Sequence, residues 1–311
     1  MHDQDADLGE SRRTVALPMA MADFGRRGFR TDRPEARAVL ERHARSFLTG
    51  FNEALAHWRE VHDRLAAFED AERGFAYEGA AMYARIRDVV TVGRGRAVNR
   101  LLSGRGEGYP HLIRVGTGWW RGMIRSRFAP RATGAGLLCW LSEDGAGFAE
   151  AYFGGHRVIS RRCGARPGPA WQARIAGHGR ALWFVESADV QGLHRFITAQ
   201  PAVAHSQLWC GVGLACAYAG ATDTAGRTAL LDASGPHASW LRQGVAFGVA
   251  ARQRAGIVPG HTRDAALELC GAEPAVVAEW TDLAARHLET RTDIHAYLEW
   301  KTRLKEIAAQ R

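Results

Sequence analysis

"GYPHLIRVGTGWWRG", residues 108–122, places a Pro-His pair ahead of glycines at 118 and 122. A second stretch more than a hundred positions later, "SGPHASWLRQGVAFG" at 234–248, repeats the spacing: Pro110, His111, Gly118 and Gly122 correspond to Pro236, His237, Gly244 and Gly248. Proline suits the first turn of a helix, so each stretch predicts a helix that carries two glycines four residues apart. Each such glycine costs about 1 kcal/mol relative to alanine inside a helix. Four of them need a packing reason or a ligand reason. Two glycines at this spacing leave a shallow strip that another backbone, or a flat ligand, can approach closely.

Further landmarks occur twice in the same order. "HARSF" from His43 pairs with "HGRAL" from His178, and Tyr77-Glu78-Gly79 pairs with Trp209-Cys210-Gly211. Collinear landmarks point to an internal duplication, with one copy over about 36–128 and the other over about 178–256. Each copy would hold about four helices.

The clearest single element is "RPEARAVLERHARSFLTGFNEALAHW", residues 33–58, with apolar positions at the three-four spacing of one helical face. Asp32 is a candidate cap for it. Further helices are expected over 69–92, 95–103, 110–128, 187–200 (capped by Ser187), 202–219, 236–255, 273–288 and 293–308, with "RDAALELC" capped by Thr262. Residues 130–136 and 154–169 read as loops, rich in Gly, Pro and Arg. Between them, "GAGLLCWLSEDGAGFAEAYF" reads as helix, turn, helix. "RALWFVE", 180–186, fits a buried strand or a buried helix. Long alternating strands are absent. The expected fold is therefore mainly α: a helical bundle or orthogonal helical repeat with two pseudo-twofold-related halves. Residues 23–311 form one domain, with a helical tail over 262–308 behind a mobile segment over 1–22.

At 311 residues, 46% hydrophobic and 24% charged, the chain can bury a sizeable core. The net charge of +8 invites a nucleic-acid reading, which the distribution argues against. All basic residues except Lys301 and Lys305 are arginines, spread along the chain with acids between them, and no basic arm or aromatic-basic platform stands out. Five cysteines without a CxxC pair point to a reduced, cytoplasmic compartment. The N-terminal stretch begins acidic and is broken by Pro18, unlike a signal peptide. The most apolar run, "LWCGVGLACAYAGA" at 208–221, is too short to span a bilayer.

Candidate chemistry is sparse. Glu78 falls in the apolar stretch "GFAYEGAAMY" beside Tyr77. A carboxylate there either pairs with an arginine, for which Arg45, Arg85 and Arg180 are available, or titrates high and acts as an acid or base. Its counterpart Cys210 makes any chemistry asymmetric between the halves, and Cys210 and Cys216 also fit as inert buried thiols. His111 and His237 start their helices, where a neutral imidazole is favoured. They could cap the helix, or polarise a carbonyl and accept a proton. Trp119, Trp209 and other tryptophans crowd the middle of the chain. They fit either the core or the wall of a slot for a flat, conjugated or greasy ligand. Metal-ligand spacing is absent, since there is no HExxH, and His57 and His62 do not share a helical face. "GRGRAVNR" and "GVGLAC" lack a complete phosphate-loop or dinucleotide pattern, so no cofactor is expected.

"RGFAYEGAAM", "GYPHLIRVGTGWW", "GRALWFV", "LWCGVGLACAYAGA" and "QGVAFGVAARQRAG", with His261-Thr262 and Leu269-Cys270-Gly271, resemble a bacterial family associated with enediyne polyketide gene clusters, the UnbL-type accessory proteins. The resemblance covers roughly 24–285 and weakens around 160–178 and beyond 286. It implies a role in secondary metabolism beside an iterative polyketide synthase, on the route from a linear polyene to the enediyne core. It supplies no catalytic residues. The expectation is a protein that acts on or binds a hydrophobic polyene intermediate, without a cofactor, in a cleft where Glu78, His111 and His237 are catalytic candidates. Tyr77, Trp119, Trp209, Cys210 and Arg180 are candidates for substrate contact. The alternative is a non-catalytic carrier, or an assembly partner for the synthase or a membrane oxidase.

Overall fold

The computed structural model describes residues 15–93, 95–124, 136–168 and 170–310. Their α-helices are α1 (Phe24–Arg27), α2 (Pro34–Ala56), α3 (Val61–Ala66), α4 (Asp70–Val90), α5 (Arg96–Leu101), α6 (Pro110–Ile124), α7 (Leu141–Cys163), α8 (Trp171–Val185), α9 (Val190–Thr198), α10 (Ala202–Ala219), α11 (Thr224–Ser234), α12 (Ala238–Arg254), α13 (Gly260–Cys270), α14 (Pro274–Ala285) and α15 (Ile294–Ala309). The fold is mainly α, with no strand among the described residues.

The long helices pack in the order α2, α4, α6, α7, α8, α10, α12, and glycine makes nearly every crossing. Gly50 on α2 faces the Ala76 carbonyl on α4, Gly79 on α4 faces the Phe47 carbonyl on α2, and Gly116 on α6 faces the Glu78 carbonyl on α4. The same three contacts recur further along. Gly179 on α8 faces the Leu208 carbonyl on α10, Gly211 on α10 faces the Ala176 carbonyl on α8, and Gly244 on α12 faces the Cys210 carbonyl on α10. A methyl group at any of these six would fall well under 3.0 Å from the facing oxygen. Helix α7 joins the two sets. Gly118 on α6 faces the Ser142 carbonyl and Gly145 on α7 the Val115 carbonyl, while Gly147 on α7 faces the Arg174 carbonyl and Gly177 on α8 the Asp144 carbonyl. The reason for the helical glycines is thus the close approach of backbones.

This register keeps Glu78 opposite Cys210 but changes both ends of the sequence alignment. Gly116, not Gly118, takes the place of Gly244. Gly50 takes that of Gly179, so His43 and His178 are not counterparts. A pseudo-twofold relation between the halves remains an expectation from sequence.

Several local expectations give way. The supposed loop over 154–163 is the last turns of α7, which bends at Gly155, where φ is +57°. Residues 130–135 and 169 of the two expected loops, and 125–128 of the expected helix, lie outside the described residues. "RALWFVE" is helical except for its last residue, because α8 is buried along nearly its whole length, where apolar content carries no period. Asp189, not Ser187, caps α9. Asp32 pairs with Arg30 rather than capping α2. The Thr262 hydroxyl donates to the Ala217 carbonyl at 2.8 Å and so ties α13 to α10. Residues 1–14 lie outside the described residues, but 15–22, expected to be mobile, lie on α2. Leu17 exchanges two hydrogen bonds with the Asn52 side chain at 2.8 and 3.0 Å, and Ala22 is fully buried. The C-terminal tail is also core. Tyr297, Trp300 and Lys301 are buried, and the Trp300 indole donates to the Thr281 carbonyl at 2.9 Å.

Gly79→Ala is expected to destabilise the protein by about 3 kcal/mol or more, because neither backbone can yield without moving a helix. The thermal midpoint should fall by roughly 5 °C or more. Gly260→Ala, with no atom within 4 Å of the added methyl, serves as the control and should leave the midpoint in place.

Candidate functional site

The helices α2, α4, α6, α7, α8 and α10 surround an apolar chamber of about 50 Å³, room for roughly three to five waters or a few carbons of a chain. Trp119 forms its centre. Its ring lies 4.1 Å from Phe47 and 4.9 Å from Phe148, and Tyr152 and Phe153 continue the cluster. Leu17 and Met21, from the segment laid across α2, complete the lining. The Tyr152 hydroxyl donates to the Met21 carbonyl at 3.0 Å and fixes that cover.

Glu78 and Arg180 form a polar wall of this chamber and belong to an ionic triad with Asp144 behind them. Trp119 Nε1 donates to Glu78 Oε1 at 2.8 Å. Arg180 Nη2 stands 3.7 Å from the same oxygen and 2.8 Å from Asp144 Oδ1, and its guanidinium lies 4.7 Å over the Phe148 ring. All three charged residues are buried. Burial pushes the Glu78 carboxyl up, and Asp144 adds to this, while Arg180 and the Trp119 indole pull it back. Burial raises Asp144 too, against Arg180, Lys301 and His178. At another side of the chamber His43 stacks on Phe75 at 4.3 Å, donates from Nε2 to the Ala219 carbonyl at 2.9 Å, and holds Glu72 through Nδ1.

A second chamber of about 50 Å³ lies behind the first, between α6, α7, α8, α10, α12 and α15. Arg180, Leu214 and Tyr218 line both, so they form the divide between them. The second chamber is the more polar: His111, Asp144, Cys210, Tyr297 and Lys301 face it. Lys301 Nζ donates to Gln207 Oε1 at 2.6 Å, and Cys210 Sγ donates to Gln243 Oε1 at 3.2 Å. Burial lowers the His111 imidazole to about 3, so the ring is neutral, and its Nδ1 is shut off from solvent without a partner. Burial rather than the helix terminus keeps it neutral.

Residues 8–308 match the family described as Protein of unknown function (DUF1702). The chain belongs to this family. No curated protein and no solved structure matches it.

In this member of the family, Glu78, Trp119 and Arg180 come together at the first chamber, and His111, Cys210 and Arg180 at the second. The other predicted residues lie elsewhere. Tyr77 points away from both chambers. It stacks on Tyr109 at 4.5 Å and its hydroxyl meets His62 Nδ1 at 3.1 Å. Trp209 is buried and lines neither chamber, and His237 packs edge-on against His205 at 5.7 Å. Sequence reasoning missed Asp144, Lys301, Phe148, Tyr152 and Tyr218. Asp144 lay in a segment without a clear period. The one available signal for Lys301 was that this arginine-rich chain keeps a lysine within an apolar helical pattern. Among the described residues, no group of three or more His, Cys, Asp and Glu is placed to hold a metal ion.

A third buried acid makes a pH prediction. Glu150 accepts from Arg162 Nε at 3.0 Å, with His178 Nε2 at 3.5 Å and Arg174 Nε at 3.8 Å. Burial would raise its carboxyl, but His178, Arg174 and Arg162 hold it down at about 2, from an ordinary 4.5. The unfolded chain therefore binds the proton more readily. The stabilisation is complete above pH 4.5, on the order of 3 kcal/mol, and is lost as pH falls toward 2. Urea unfolding between pH 6 and pH 2.5 should show this acid limb, and Glu150→Gln should flatten it while lowering stability at pH 6.

Proposed function

We propose that this protein is an accessory factor in polyketide natural-product biosynthesis of the enediyne type, and that it takes a linear, conjugated hydrocarbon chain into the aromatic chamber. The observation that carries this reading is the chamber itself: a narrow apolar slot walled by Trp119, Phe47, Phe148 and Tyr152, with one carboxyl at its edge. Flat aromatic walls suit the face of a conjugated chain. The resemblance to proteins of enediyne gene clusters supports it from the side of sequence. The volume admits part of a polyene, so a full chain requires Leu17 and Met21 to move or the divide to open.

On this reading Glu78 is the acid or base. Burial raises its carboxyl, and Trp119 Nε1 and Arg180 fix its orientation toward the chain. Such a group can hand a proton to one carbon of a conjugated chain and, as the carboxylate this leaves, take a proton back from another carbon, which is cofactor-independent isomerisation, or cyclisation where a carbon–carbon bond closes onto the cation in between. A carrier without catalysis is the second reading. It is favoured by the hydrogen bond that already engages Glu78 Oε1 from Trp119, with Arg180 close by, and by the lack of a Ser, Thr or Cys among the described residues of the chamber wall.

Conjugated polyenes released by a polyketide synthase should quench tryptophan fluorescence at equal stoichiometry, and Trp119→Phe should remove most of that signal. If the protein is the enzyme, the polyene product profile changes on incubation, and Glu78→Gln abolishes the change with less than about a tenfold loss of binding. Stoichiometric binding with an unchanged profile identifies the carrier. Absence of quenching overturns both.

A further inference from the structure

The geometry points to a ligand that carries a neutral carbonyl group: its hydrocarbon chain occupies the aromatic chamber, and its carbonyl oxygen sits at the divide, taking a hydrogen bond from Arg180. The inference rests on the reading that the aromatic chamber takes a hydrocarbon chain, and it names the chemical class at the chain's other end.

Three observations carry it. First, the two chambers have Arg180, Leu214 and Tyr218 in common and so meet at a shared wall. A molecule longer than the aromatic chamber therefore meets Arg180 next. Second, Arg180 is 7% exposed, yet its Nε–H has no acceptor, and its Nη2 contacts to Asp144 and Glu78 are off the hydrogen-bond axis. A buried donor left unmade costs about 1–3 kcal/mol. An oxygen lodged at the divide supplies the acceptor. Third, the polar chamber beyond holds another orphan, the Nδ1 of a neutral His111, together with the Lys301 ammonium and the Tyr297 ring. Lys301 already donates to Gln207, so the group that an apolar chain would leave unmatched there is His111 Nδ1.

The charges decide between kinds of oxygen. Arg180 already faces two acids, Glu78 and Asp144, and of the two further basic groups near Asp144, Lys301 and His178, the second is shared with Glu150. Two acidic and two basic groups leave no surplus positive charge for a carboxylate ligand. A fatty-acid anion would lie beside Glu78 and Asp144 in a site of low dielectric, where like charges repel strongly. A ketone or aldehyde brings the acceptor without the charge.

Headspace partitioning over the full-length protein measures binding of octane, 2-octanone and octanoate, the last by equilibrium dialysis. In a chamber that is only greasy, or whose donors are met by water alone, octane binds at least as well as 2-octanone, because the ketone gives up its hydration. The expected result is 2-octanone bound at least tenfold more tightly than either octane or octanoate. The combined variant Arg180→Met with Glu78→Gln and Asp144→Asn leaves no unpaired carboxylate behind, and its ketone-to-octane ratio should fall to one or below. Octane bound as well as 2-octanone overturns the inference while the hydrocarbon reading stands. Octanoate bound tightest overturns it as well. No binding of any of the three overturns both. A combined variant that keeps the ketone preference also overturns it, and if that variant does not fold, the ratio measured on the unaltered protein decides.

Discussion

Everything in this fold depends on backbones touching where a side chain would ordinarily separate them. At each step from α2 through α4, α6, α7, α8 and α10 to α12, a glycine on one helix lies on a carbonyl of its neighbour. The consequence reaches the site directly, because the residues beside those glycines are carried into the same small volume. Glu78 precedes Gly79, Asp144 precedes Gly145, Arg180 follows Gly179, and Cys210 precedes Gly211. A helix that contacts its neighbour through one residue must turn the adjacent residue about 100° away, into the space at the edge of the crossing. Four helices that cross this closely therefore deliver two acids, a guanidinium and a thiol to one region without any loop taking part.

Such delivery buries charge, and buried charge is costly unless it is paired. The triad of Glu78, Arg180 and Asp144 has an excess of one acid, and the Lys301 ammonium, held by Gln207, offsets it across the second chamber. This explains why the C-terminal helix α15 is part of the core rather than an appendage. Without Lys301, Asp144 and Glu78 would share a single cation. Burial raises the carboxyls of both acids, against the pull of Arg180 on each.

How much of this was legible in the sequence follows from the range of each cause. Helices announced by a three-four apolar stripe, such as α2, were readable because the cause is local. The glycine pattern was readable as a pattern, and it pointed to close backbone approach. Its register was not, because Gly118 and Gly244 match in sequence while one faces α7 and the other faces α10. Glu78 and Arg180 stood out as a polar residue inside an apolar run and a possible partner for it. Asp144 did not, since "SEDGAGF" reads as a turn until α6 and α8 close on it. Tyr77 and Trp209 were misplaced for the same reason. A buried helix has no polar face to show which side looks into a cavity, and both lie one residue from a true lining residue.

The two sets of crossings put different residues at the same place. Glu78 sits where the first three helices meet and faces the aromatic chamber, while Cys210 sits where the second three meet and faces the polar one. Three glycine–carbonyl contacts repeat, but different elements close the two chambers: the segment with Leu17 and Met21 covers the aromatic one, and α15 closes the polar one. Phe47 and Trp119 fill the surroundings of one crossing, whereas Gln243 and Lys301 surround the other. A pair of like chambers that share a wall would bind two like ligands. Two unlike chambers that share one buried arginine are what the proposed ligand, hydrocarbon at one end and carbonyl at the other, requires.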